Sequence, residues 1–312
     1  PQEVLKSPEA MDFVLHQIWS INNSDNYWET FIDGKYPLPI ALEIVSIGGE
    51  VRFYINTHRK KGLETLVPAM YSQYPGVELV EEPVDYAAEI GADMDNWEIW
   101  STHFNKKEKR DNWGPIKTYI EFGLDKMPKE EEKVDPITPL LEVLGNADPH
   151  ERIFVQYIIS GYKKASFYNG NYMLPWAKEG PNWTKIAQAK VEEIMKRDPE
   201  TKATAADGDE DQGVVRITPG ERADVETIER NMNKYAFNLG ARYLYCARKG
   251  KFNANKINML NRAVNQYDVV GRGSIGVRWR TDFDYMWFSD PFGDRLNVIR
   301  NVEYKLFQLR KY

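Results

Sequence analysis

Apolar positions along this chain switch repeatedly between a three-to-four-residue recurrence and an alternation of two, and each switch marks a predicted element. Met11, Val14, Leu15, Ile18 and Trp19 form the first stripe and predict a helix from Pro8 to about Ile21. Ser7 is suited to cap its free amides, and Pro8 loses no needed N–H at the first helical position. Residues 22–39 read as a loop with Trp28 and Phe31 as buried anchors. LEIVSIGGEVRFYINT, Leu42 to Thr57, then reads as a hairpin turning at Gly48-Gly49, because glycine supplies the positive φ of a tight turn. Neither face of its strands is fully polar, which predicts that both lie inside a sheet. Leu63, Leu66, Val67, Met70 and Tyr74 share a helical face over Lys60–Tyr74. Pro68 within that run predicts a kink or a late start. Pro75-Gly76 ends it, and Val77–Val80 is expected as a short strand.

Beyond residue 90, strands are expected at Trp97–Phe104, Ile116–Phe122, Arg152–Ser160 and Leu239–Ala247. Helices are expected after Asp135-Pro136, with Gly145 as the stop, and at Trp183–Lys196. Thr218-Pro219-Gly220-Glu221 reads as a capping box opening a helix to about Lys234, and Asn253 opens another carrying Ile257, Leu260 and Val264. Residues 198–217 are acidic and poor in apolar side chains at their start, the pattern of a mobile linker. The tail from Asp294 to Tyr312 alternates leucines and isoleucine with cations and predicts a terminal helix.

The expected fold class is α+β: tandem ferredoxin-like α/β sandwich modules with mainly antiparallel sheets, plus a C-terminal helix. The expected divisions are 1–90, a module whose first strand lies upstream of Pro1 or is weakly formed by Gln2–Leu5; 91–292, a second module containing the linker; and 293–312, the helix. At roughly 100–200 residues per domain, 312 residues suit such a pair.

Composition narrows the function classes. The net charge of -6 disfavours a general nucleic-acid surface. Cys246 is the single cysteine, so neither an intrachain disulfide nor a cysteine-based zinc site can form, and an intracellular setting is expected. No run of about 18 apolar residues spans a membrane, and no signal peptide is read. The start at Pro1 and the helix running to Tyr312 suggest a piece of a longer protein. Aromatic residues reach 13%, enough to expect large packed surfaces, some shared with a partner.

Candidate chemistry is sparse. No phosphate-binding lysine loop exists, and Gly271–Gly276 lacks that lysine and reads as an ordinary turn. His16, His58, His103 and His150 stand too far apart in sequence for local metal pairing. Glu130–Glu132 reads as a solvated charge run, and Cys246 as a buried structural thiol. Arg300, Lys305, Arg310 and Lys311 on the terminal helix are the candidate contacts to anionic lipid or nucleic acid, against the plainer reading of a solvated linker helix. Arg242, Arg248, Lys249 and Lys251 form a second basic group. No cofactor is expected.

The hairpin, the following YSQYPGVELVEEPVDY, then GPIKTYIEF, VDPITPLLEVLG, ERIFVQYII and ADVETIERNMNKYAFNLGARYLYCARKGKFNAN occur in an order that resembles one family. It is the conjugation- and type IV secretion-like ATPases of the TraC/HerA kind, in the region ahead of the motor. The blocks cover most of Ser7–Tyr267. The resemblance implies a non-catalytic docking and assembly region, self-association, contacts with secretion-machinery proteins, and a cytoplasmic place at the inner membrane face through a segment outside this chain. It carries over no catalytic residue. The alternatives are a stand-alone self-assembling structural protein and a hydrolase with a non-contiguous acidic site.

Overall fold

The structure is a computed structural model that describes residues 8–19, 21, 32, 38–58, 61–92, 94–106, 115–126, 135–162, 183–196, 217–269 and 273–280. Six strands run in one sheet: β1 (Ile40–Ile47), β2 (Glu50–Asn56), β3 (Trp97–Lys106), β4 (Glu151–Gly161), β5 (Phe237–Arg248) and β6 (Ile275–Arg280). Their spatial order is β2-β1-β4-β5-β3-β6, and every neighbouring pair is antiparallel. The helices are α1 (Glu9–Trp19), α2 (Lys61–Gln73), α3 (Ala88–Ala92), α4 (Thr138–Gly145), α5 (Trp183–Lys196), α6 (Pro219–Met232) and α7 (Ala254–Arg262). The fold is therefore α+β with an antiparallel sheet.

The central strands β4 and β5 are largely apolar on both faces, and both faces are covered. On one face Ile44, Val155, Tyr243 and Trp100 pack against Leu140, Val143 and Leu144 of α4 and Leu260 of α7. Further along the same face, Ile40 and Ile159 meet Val14 and Ile18 of α1 and Leu66, Ala69 and Met70 of α2. The opposite face sets Val45, Phe154, Leu244, Cys246 and Ile99 against Ala87 and Ile90.

Local signals explain several element ends. Thr218 and Glu221 make the reciprocal capping box, with Pro219 in the first turn of α6. The Asn253 side chain accepts from the Asn255 N–H and opens α7. The hairpin turn uses φ of 60° at Gly48 and 92° at Gly49. A Cβ on Gly49 would lie 2.9 Å from the Gly145 carbonyl oxygen and 3.0 Å from that of Ala147, so the turn also needs glycine for close approach to the end of α4. Ser46 Oγ completes that junction by donating to the Leu144 carbonyl at 2.6 Å.

The structure corrects several expectations. The β2 strand is an edge, not an interior strand, with Glu50, Arg52, Phe53 and Asn56 exposed. Residues 77–80 form no strand: Val77 N–H bonds the Tyr74 carbonyl in a turn, and Val80 stands 77% exposed. Residues 116–122 form no strand: residues 119–123 are in turns, Glu121 Oε2 accepts from the Thr118 N–H and hydroxyl, and Gly123 takes φ of 70°. The sheet takes β6 instead, which the reading of the sequence missed. The α2 helix begins at Lys61 and continues through Pro68. Burial of Leu66, Ala69 and Met70 helps offset the roughly 3 kcal/mol cost of an interior proline. The β1–β4 ladder carries the sheet across the boundary expected at residue 90. The Ser7 cap, the loop anchors Trp28 and Phe31, most of the linker and the helix 293–312 lie outside the described residues.

Candidate functional site

Four neighbouring strands each place one polar residue in the same register. Glu43 of β1 faces Gln156 of β4, Gln156 faces Arg242 of β5, and Arg242 faces His103 of β3. Residues opposite one another across a sheet project to one face, so the four side chains form a row. The Gln156 amide donates to Glu43 Oε1 at 2.8 Å, and its oxygen accepts from Arg242 Nη1 at 3.4 Å. Arg242 Nε donates to His103 Nε2 at 3.2 Å, which places the proton of a neutral His103 ring on Nδ1. Tyr86 donates to the second oxygen of Glu43 and packs at a tilt against Tyr54, with ring centroids 4.6 Å apart. Tyr54 is itself the β2 partner of Glu43, so the row reaches the sheet edge. Glu43 is 2% exposed, Gln156 0% and Arg242 3%.

In this row one amide bridges a buried carboxylate and a buried guanidinium by hydrogen bonds. It is poorly arranged for acid–base work. Strands stand about 4.8 Å apart, so Glu43 and His103, three spacings apart, are separated by ~14 Å. That exceeds direct proton transfer. Arg242, expected on a basic surface, belongs to this interior row because its strand position points into the covered face.

Asp148, His150 and Glu151 bring ligand atoms within 4.8 Å of one another. Glu151 is fully buried and already engaged: Oε1 accepts from Tyr245 at 2.5 Å, Oε2 accepts from the Asp148 N–H at 2.8 Å, and Lys256 Nζ lies 3.5 Å away. A nearby ammonium opposes cation binding. The group instead ties the start of β4 to β5 and α7, since the Tyr245 hydroxyl also accepts from the Asn253 N–H at 3.1 Å. Burial and the Glu151 hydrogen bond push the Tyr245 phenol well up from its ordinary range. Glu151 and Glu43 lie on opposite faces of the sheet, because they occupy odd and even positions of the β1–β4 register.

The remaining candidates disperse. Arg248 and Arg152 lie over the Trp97 ring, 4.2 Å and 5.6 Å from its centroid, and both pair with Glu89. Lys249 and Lys251 are exposed at the turn after β5. Hence the second basic group does not form one patch. Cys246 is completely buried, which pushes its thiol far up and leaves it inert. Val269 and Gly273 exchange two backbone hydrogen bonds, at 2.8 Å and 3.1 Å, in the glycine-rich turn before β6. His16 packs edge-on against Tyr235. Arg300, Lys305, Arg310, Lys311 and Glu130–Glu132 lie outside the described residues.

The β2 edge has a different character. Gly48 N–H bonds to Glu151 of β4, which fixes the phase of β1: its even residues bond toward β4 and its odd residues toward β2. Even residues of β2 consequently bond β1, whereas Val51, Phe53 and Ile55 turn their N–H and C=O groups outward. Among the described residues, no backbone group pairs with these three. The Phe53 side chain is 66% exposed.

Comparison with known proteins adds no relative: no family model, curated protein or solved structure matches the chain.

Proposed function

We propose that this chain is a non-catalytic docking and assembly region acting through protein–protein contacts in a membrane-associated translocation ATPase of the conjugation or type IV secretion kind. The observation that carries the docking part is the β2 edge, where three outward positions have backbone groups that no described residue pairs, beside an exposed phenylalanine. The ordered sequence blocks support the family part. The buried ionisable groups add weight because they are bonded to one another. Glu43 and Arg242 are joined through Gln156, and Glu151 is held by Tyr245 and Lys256.

Partners in this reading are further copies of the chain and other secretion-machinery proteins. Placement at the inner face of a membrane would, in this reading, come from a segment outside this chain; no helix among the described residues is long and apolar enough to cross one. The hydrolase alternative needs converging carboxylates, and Glu43 and Glu151 stand on opposite sheet faces. The stand-alone structural protein shares the same edge and differs only in lacking a motor.

Nucleotide turnover tests the proposal. The purified chain is expected to show ATP hydrolysis at buffer background with magnesium present. Turnover well above background that survives repurification would overturn the non-catalytic assignment.

A further inference from the structure

The β2 edge has a geometry that selects its own copy. The strand is seven residues long, contains no proline, and pairs with β1 in an uninterrupted register. Natural edges are commonly guarded by lysine, proline, a bulge or shortness. Here the exposed charges of the strand, Glu50 and Arg52, neutralise each other at 2.7 Å. The opposite edge, β6, is less regular, because its ladder with β3 shifts register between His103 and Phe104.

We propose that β2 pairs antiparallel with β2 of a second copy about a twofold axis at Phe53, making one sheet continuous through both chains. This rests on the assembly reading above and names its partner and surface. The backbone phase permits it, since the outward residues Val51, Phe53 and Ile55 meet Ile55, Phe53 and Val51 of the second copy as hydrogen-bonded pairs. On that face apolar meets apolar, and the two exposed Phe53 rings cover each other. On the other face Arg52 meets Tyr54, a cation–π pairing, and Glu50 meets Asn56. No like charges stand opposite one another. Sliding one hydrogen-bonded pair toward the turn sets Arg52 against Arg52, and sliding the other way leaves Glu50 and Val51 unpaired. The twofold arrangement is closed, so it yields a dimer and not a fibre.

The test uses the whole 312-residue chain. Sedimentation velocity over a concentration series is expected to show a reversible monomer–dimer equilibrium. Phe53→Pro removes an outward N–H that no described residue uses, and Phe53→Lys sets two cations on the axis. Each is expected to give monomer with an unchanged circular dichroism spectrum. Cysteines report the register: Phe53→Cys should form a disulfide-linked dimer under mild oxidation, because hydrogen-bonded partners stand about 5.5 Å apart at Cα. Glu50→Cys and Asn56→Cys should each fail alone and cross-link when mixed. Cys246, being buried, does not compete. A dimer that persists in both Phe53 variants without the Phe53→Cys link would overturn the edge assignment and leave self-assembly intact. A monomer at every concentration would overturn self-pairing itself, while the nucleotide test would still decide the non-catalytic reading.

Discussion

At the residue scale, the interior is organised by polar groups that need one another. Removing one partner of a buried hydrogen bond leaves the other short of a partner, which typically costs about 1–3 kcal/mol. Glu43→Leu is expected to lose stability of that order in urea unfolding, because Gln156 and Arg242 would keep their polar atoms in a dry environment. Glu43→Leu combined with Arg242→Met should recover a large part of the loss. Equal losses in the single and double variants would contradict coupling of the two groups through the amide. The buried phenols make a second prediction. Tyr157 and Tyr243 share a hydrogen bond at 2.8 Å on the other face of the sheet. Burial pushes Tyr157 up to about 12, and Tyr243 also rises because it is buried. In the unfolded chain both return to the ordinary phenol value of about 10. The folded state thus holds protons that the unfolded state releases, so this contribution is complete below about pH 10 and declines toward pH 12. For Tyr157 alone the two-unit span amounts to about 3 kcal/mol. Tyr157→Phe should flatten the alkaline loss measured by denaturation from pH 9 to 12, and an unchanged slope would contradict it.

At the element scale, the hairpin and the capped helices carry testable signals. Gly49→Ala combines strain at φ of 92° with contact on two carbonyl oxygens of the α4 end, and should destabilise by more than about 1 kcal/mol. Thr218→Ala should cost about 1 kcal/mol by leaving the Glu221 N–H without its hydroxyl acceptor. Thermal melts of both variants would check the order of the two effects. These features were legible in the sequence because they are local: Gly48-Gly49, Thr218–Glu221 and Asn253 announce their own geometry. The sheet order was not legible. Glu43, Gln156 and Arg242 each interrupt an apolar run, so an unusual face was visible, but a period of two does not reveal which strands are neighbours. Residues 77–80 and 116–122 carried strand-like residues, yet a turn bond and the Thr118–Glu121 cap won locally. The β6 strand escaped notice behind the glycine-rich turn, since its pairing to β3 is a long-range event.

At the scale of the whole molecule, the two halves of the chain meet in the β1–β4 ladder, and the helices settle on the sheet faces. The hydrogen-bonding capacity that the described residues leave over on β2 lies at one rim of the sheet, which links the fold to the proposed assembly. Hydrogen exchange on the peptide spanning residues 50–56, measured by mass spectrometry in dilute and concentrated solution, tests this most directly. The outward amides of Val51, Phe53 and Ile55 should exchange quickly when dilute and slow at least tenfold when concentrated, while the amides bonded to β1 stay slow throughout. Fast exchange of the outward amides at every concentration would contradict an assembling edge.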